Sequence, residues 1–169
     1  MCIRDSPNFD PRGFDPSKHR ARMLEVSQLM DSMNPDLSAF AARGGKLIIS
    51  EHMADYAQSP YAGIDYYLRV TERIAQRYGQ GNADDFLRLY VTPGADHMGM
   101  GAPSSVDMVE ILSDWVERGK APGDLVQARY ELKPPFPVIA SRPMCRYPAF
   151  PRYLGGDASK AGSFECARR

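Results

Sequence analysis

Gly44-Gly45-Lys46-Leu47-Ile48-Ile49-Ser50-Glu51-His52-Met53-Ala54-Asp55 and, beyond a helical span, Asp85-Phe86-Leu87-Arg88-Leu89-Tyr90-Val91-Thr92-Pro93-Gly94-Ala95-Asp96-His97 decide how this chain folds. Each segment opens with a short apolar run and ends in a polar loop. The first run, Lys46 to Ser50, leads to Asp55; the second, Phe86 to Val91, leads through a Pro93-Gly94 turn to His97. Between them, Ile64, Tyr67, Leu68, Ile74 and Ala75 recur at helical spacing over Tyr61 to Tyr78, and Gly79 to Asn82 is a stop signal. Strand, helix, strand in that order builds a parallel pair. In parallel sheets ligands gather beyond the carboxyl ends of the strands. Asp55 and His97 are therefore expected to face one another across one cleft.

Working outward, Asn8 to Lys18 reads as an extended lead-in with two Asp-Pro turns. Met23, Val26, Met30 and Met33 recur at helical steps and predict an amphipathic helix over Lys18 to Met33. The methionines read as packing rather than a soft-metal site, and His19 as a solvated residue. Asn34-Pro35-Asp36 breaks that helix, Leu37 and Phe40 dock a short helical turn, and Gly44-Gly45 turns into the first strand. Downstream, Ser104-Ser105-Val106-Asp107 has the pattern of a capping box. It opens a helix with an apolar face of Val106, Val109, Leu112, Trp115 and Val116, closed by Gly119. Short strands are expected at Leu125 to Leu132 and Val138 to Ser141, then an irregular tail holding Cys145 and Cys166. The sum is β–α–β–α, the ending of a doubly wound, mostly parallel α/β domain, with too few strands for a complete sheet.

Composition narrows the partners. The 169 residues carry a formal net charge of zero with no basic block, which argues against a nucleic-acid partner. No apolar run approaches the ~20 residues of a membrane helix. Met1 to Ser6 lacks an apolar signal core and resembles a translated sequencing-adapter remnant, so residues 1–6, Cys2 included, are expected to be non-native. Residues 7–169 are then expected to be a C-terminal piece of something longer. Two remaining cysteines leave reduced thiols and a bridge both open. A tail rich in Pro, Gly, Arg and Ser favours the bridge, because closing a ~20-residue loop is worth about 3 kcal/mol on the loop-entropy account. A bridge implies an oxidising compartment, secreted or periplasmic.

A histidine bonded to a carboxylate is held in one tautomer and stabilised when it takes a proton. In α/β-hydrolases the chain order is Ser, Asp, His, with the serine on a Gly-x-Ser-x-Gly elbow. Asp55 and His97 fit the last two places, but no Gly-x-Ser-x-Gly occurs in the sequence. Asp96 competes as the carboxylate, although adjacent loop residues usually point apart, and His52 is a second candidate base. His52, Asp55, Asp96 and His97 match no metal-ligand spacing such as His-Glu-x-x-His, so no metal is expected among them.

At these residues the sequence resembles the tannase and feruloyl esterase family of α/β-hydrolases, over that family's C-terminal segment. The resemblance runs through Asn34-Pro35-Asp36-Leu37-Ser38-Ala39-Phe40, Gly44-Gly45-Lys46-Leu47-Ile48, Ala54-Asp55, Ile64-Asp65-Tyr66-Tyr67, Pro93-Gly94 and His97. It continues through Asp114-Trp115-Val116-Glu117-Arg118-Gly119, Ala121-Pro122, Arg142-Pro143-Met144-Cys145-Arg146-Tyr147-Pro148 and Phe164-Glu165-Cys166. It implies a serine esterase acting on galloyl, hydroxycinnamoyl or related aromatic esters, with Asp55 as triad acid and His97 as triad base. The nucleophile, the oxyanion hole and a lid with a calcium site would lie upstream, leaving no cofactor in this chain. Cys145 and Cys166 match a C-terminal disulfide of the family. Two positions depart from its pattern. Met98 stands where a cysteine usually follows the histidine, and Glu51-His52-Met53-Ala54-Asp55 replaces His-Gly-Trp-Ala-Asp. Those departures motivate an alternative, a non-catalytic hydrolase-like protein that binds aromatic ligands. The oligomeric state is not fixed by the sequence.

Overall fold

The computed structural model describes residues 10–168, so the Met1 to Ser6 stretch with Cys2, and Asn8 of the lead-in, lie outside the described residues. The chain divides into two units, Met1–Asn34 and Pro35–Arg169.

In the first unit the lead-in is not extended. Proline fixes φ at a helix-compatible value and needs no N–H at a first-turn position. Each Asp-Pro accordingly starts a 3-10 turn, at Pro11–Gly13 and Pro16–His19. Asp15 caps the second, its Oδ1 accepting from the Ser17 N–H at 3.0 Å. The helix α1 follows at Arg20–Met30, shorter than its methionine pattern predicts, and buries none of its residues. Met23 and Met30 are 47% and 75% exposed, because Leu24 and Leu29 spread apolar surface around the cylinder instead of adding to one stripe. His19 is exposed, as expected, and its ring stacks on Phe14.

The second unit is built on the decisive stretch. Asp36 Oδ1 accepts from the Ser38 N–H at 3.1 Å and starts α2, Ser38–Ala42. Leu37 and Phe40 then pack against a core of Val70, Ile74, Ala83, Phe86 and Leu87. Gly45 crosses the face of Phe40 so closely that a Cβ there would lie 2.5 Å from the ring. Strand β1, Leu47–His52, runs parallel to β2, Leu87–Thr92, in register from Leu47 against Leu87 to His52 against Thr92. Helix α3, Pro60–Tyr78, makes the crossover and buries Pro60, Val70 and Ile74. Leu68, expected inward, is 48% exposed.

Strand β2 is buried at nearly every position, while β1 is only partly covered. The other edge of β2 meets the chain at Arg146 and Tyr147, where the Tyr147 N–H donates to the Leu89 carbonyl at 2.9 Å. Helix α4, Met108–Arg118, starts one turn later than a capping box at Ser104 would place it. Asp107 is its N-cap, accepting from the Glu110 N–H at 2.9 Å. Trp115 is buried beneath the Arg88 guanidinium, whereas Val109 and Val116 face outward.

Two strands form where short strands are expected, and the tail beyond them is more regular than expected. Strands β3, Leu125–Tyr130, and β4, Val138–Met144, pair antiparallel, as do β5, Phe150–Tyr153, and β6, Phe164–Ala167. A disulfide joins Cys145 to Cys166. The described residues thus form helices and three two-stranded sheets, of which β1–β2 is parallel.

Candidate active site

Beyond their last ladder pair, β1 and β2 keep running together. The Met53 N–H donates to the Thr92 carbonyl and the Ala54 N–H to the Ala95 carbonyl, both at 3.0 Å. These bonds hold the two loops side by side and fix the origin of each side chain that follows.

From one loop, Asp55 turns back on its own backbone. Its Oδ1 accepts from the N–H groups of Ala57 at 2.7 Å and Gln58 at 3.0 Å. Its Oδ2 is left facing the second loop and accepts from His97 Nδ1–H at 3.0 Å. The carboxylate side chain is 8% exposed and the imidazole 44% exposed. The His97 hydrogen bond, with the backbone donors behind it, holds the Asp55 carboxyl below the ordinary carboxylate range, against the opposing cost of burial. With Nδ1–H committed to the acid, the Nε2 lone pair is what His97 offers to chemistry.

Asp96 plays another part. Its Oδ1 accepts from the N–H groups of Met98 at 2.9 Å and Met100 at 2.8 Å, so it shapes the loop that carries His97. The two carboxylates differ in what they reach. Asp55 comes to His97 from the neighbouring loop, while Asp96 is spent on its own backbone. His52 Nδ1–H donates to the Asp96 carbonyl at 2.8 Å and does not join the pair. Among the described residues no three His, Cys, Asp or Glu side chains gather as a cation would require.

Three neighbours surround the pair, of which the sequence marked Met98 as a departure from the family pattern and gave Tyr56 and Glu51 no role of their own. The exposed Tyr56 ring lies 6.1 Å from the His97 ring, tilted by 59°. Met98, 71% exposed, stands on the other side of the histidine in the chain. Glu51 packs onto the first turn of α3, where a Cβ at Gly63 would lie 1.8 Å from its Oε1. Burial first, then the charge of Asp55, pushes the Glu51 carboxyl up. Alternation along β1 could have flagged Glu51, since it puts that charge on the same face as Ile49.

The family model described as tannase and feruloyl esterase matches residues 2–167. The chain is 35% identical over 147 residues to the "Probable feruloyl esterase" of Arthroderma benhamiae, covering 85% of this chain and 27% of that protein. It is 39% identical over 135 residues to the mono(2-hydroxyethyl) terephthalate hydrolase of Piscinibacter sakaiensis, covering 78% of this chain and 21% of that one. Among solved structures, an esterase from Aspergillus oryzae superposes with a TM-score of 0.81 over 98% of this chain and 36% of its own, at 23% identity. The chain therefore spans about a quarter of the length of these curated relatives, and at such identity the solved structure speaks to the fold.

Proposed function

Because this chain belongs to the tannase and feruloyl esterase family, we propose that it is the C-terminal portion of a serine carboxylic ester hydrolase and supplies the acid and the base of its triad. The observation that carries the reading is the His97 Nδ1–H bond to Asp55 Oδ2, made between loops that leave the same end of two parallel strands. In this reading His97 Nε2 accepts the proton of a serine hydroxyl as its oxygen attacks the ester carbonyl. Asp55 stabilises the imidazolium that results. His97 then returns that proton to the departing alcohol oxygen, leaving an acyl-serine. Water attacks the acyl-serine with His97 again as base, and the acid is released. The nucleophile, the oxyanion donors and the lid with its calcium belong to polypeptide outside this chain.

We assign the substrates to phenolic esters, galloyl or hydroxycinnamoyl, on the strength of the family and of relatives named for aromatic-ester hydrolysis. The sheet of the whole domain would be doubly wound, with β1 and β2 as two of its parallel strands; the burial of β2 on both faces supports this. The Cys145–Cys166 bridge favours a secreted or periplasmic protein.

The deciding experiment reads the source DNA upstream of this frame and expresses the whole protein. A Gly-x-Ser-x-Gly elbow, and turnover of a phenolic ester that His97→Ala abolishes, are the expected results. A whole protein with no nucleophile would reduce the chain to an aromatic-binding scaffold of hydrolase descent.

A further inference from the structure

Asp96 shapes the base loop from within, and the backbone bonds from Met53 and Ala54 tie the two loops together only as far as Ala95. We infer that His52 is a positioning residue for His97, a second imidazole that ties the base loop to the end of β1. The inference rests on the esterase reading only for its kinetic consequence.

His52 is the last residue of β1, opposite Thr92 in the parallel register. A carbonyl oxygen can only accept, so the 2.8 Å contact requires a proton on His52 Nδ1. The neutral ring must therefore be the Nδ1–H tautomer for the contact to be a hydrogen bond. The Asp96 carbonyl also accepts the Gly99 N–H at 2.9 Å, which closes the turn around His97. Gly99 lies against the ring itself: a Cβ there would sit 3.8 Å from His52 Cε1, and its φ of +73° suits glycine. Ser104 Oγ–H donates to the Gly99 carbonyl at 2.6 Å and braces the far side of the turn.

Two imidazoles therefore cross the gap in opposite directions. His97 reaches from the second loop to Asp55 of the first, and His52 reaches from the first strand to Asp96, the neighbour of His97. Loss of the second link leaves the turn that carries His97 tied to the first loop only through the Ala54–Ala95 backbone bond and the Asp55 contact, with more room to shift. A displacement of about 1 Å at a reacting group can cost up to ~100-fold in rate.

The test compares His52→Phe, which keeps a ring without a donor, with His52→Asn, whose amide Nδ2 can stand where Nδ1 stood. In the whole esterase, His52→Phe should lower kcat about ten- to hundredfold with KM little changed, and His52→Asn should recover most of it. The far-downfield proton resonance of His97 Nδ1–H should broaden or vanish in His52→Phe and persist in His52→Asn. In the unsubstituted protein, the nitrogen shifts of His52 should show a protonated Nδ1; a ring protonated on Nε2 alone overturns the inference without any variant. So does a His52→Phe protein with unchanged kcat and resonance, or an equal loss in both variants, which would mean that ring packing is what matters. If the whole protein turns over no phenolic ester, the esterase reading fails, and the two resonance measurements still decide the tether.

Discussion

At the residue scale, the two oxygens of Asp55 have different jobs, and this makes a sharp forecast for Asp55→Asn. Oδ1 faces two backbone donors, Ala57 and Gln58, so the amide oxygen of an asparagine would take that place. Its NH2 would then point at His97 and force Nδ1 to accept. The imidazole proton would move to Nε2, where a serine proton has to arrive. A loss of about 10⁴ in kcat follows, as for other triads whose acid becomes an amide, with the fold intact by circular dichroism. A variant within tenfold of the parent would remove Asp55 from the triad. The same bonds set a pH dependence. A carboxyl held below its unfolded value of about 3.9 stabilises the fold above that pH, and the contribution is lost as pH falls through the folded value. Urea titrations from pH 7 to 3 should therefore show the unsubstituted protein losing more stability below about pH 4 than Asp55→Asn does. Parallel curves would deny the pair any share in folding.

At the scale of elements, the legible parts were those with strong local chemistry. The two apolar runs and the helical spacing between them predicted β1, α3 and β2 because each element buries what its period exposes to the core. Asp55 and His97 could be paired for the same reason, since the strand ends fix where their loops begin. What the pattern hid was chemistry that depends on a partner far along the chain. His52 gains its role from the Asp96 carbonyl, and nothing local announces a side chain bonded to a distant backbone. Helix α1 formed within its predicted span, but the face its methionines mark is not buried in its own unit. Strands β5 and β6 went unread because Pro151, Arg152 and Glu165 interrupt any alternation, and their pairing is imposed by the bridge and the ladder together. That dependence is testable. Cys145 and Cys166 are 21 positions apart, and removing a link across such a loop costs about 3 kcal/mol on the entropic account. Cys145→Ser with Cys166→Ser should lower the urea midpoint accordingly and release the β5–β6 amides to hydrogen exchange first. Unchanged protection there would mean that the ladder holds alone.

At the scale of the whole molecule, the question is what this stretch of polypeptide can do unaided. It spans 27% and 21% of two relatives named as a probable feruloyl esterase and a terephthalate hydrolase. Its parallel pair leaves one long side of β1 without a ladder partner among the described residues, and an open strand edge is a template for pairing with another chain. In the second unit Leu68, Val109, Val116, Val126 and Val138 are all at least 48% exposed. Scattered apolar residues are ordinary on a surface, so it is the open edge that carries the argument for association. The 169 residues expressed alone should therefore self-associate, running as a broad, concentration-dependent species in size exclusion with light scattering. They should hydrolyse no phenolic ester, because an acid and a base with no nucleophile cannot form an acyl intermediate. A monodisperse monomer that melts cooperatively would show that the edge is harmless. The stronger result comes from co-expression with the upstream part of the same gene. If the two pieces assemble, β1 gains a neighbour, His97 gains a hydroxyl to deprotonate, and solubility and turnover should appear together. Solubility without turnover would separate the two, leaving the sheet argument standing and the triad assignment of Asp55 and His97 without support.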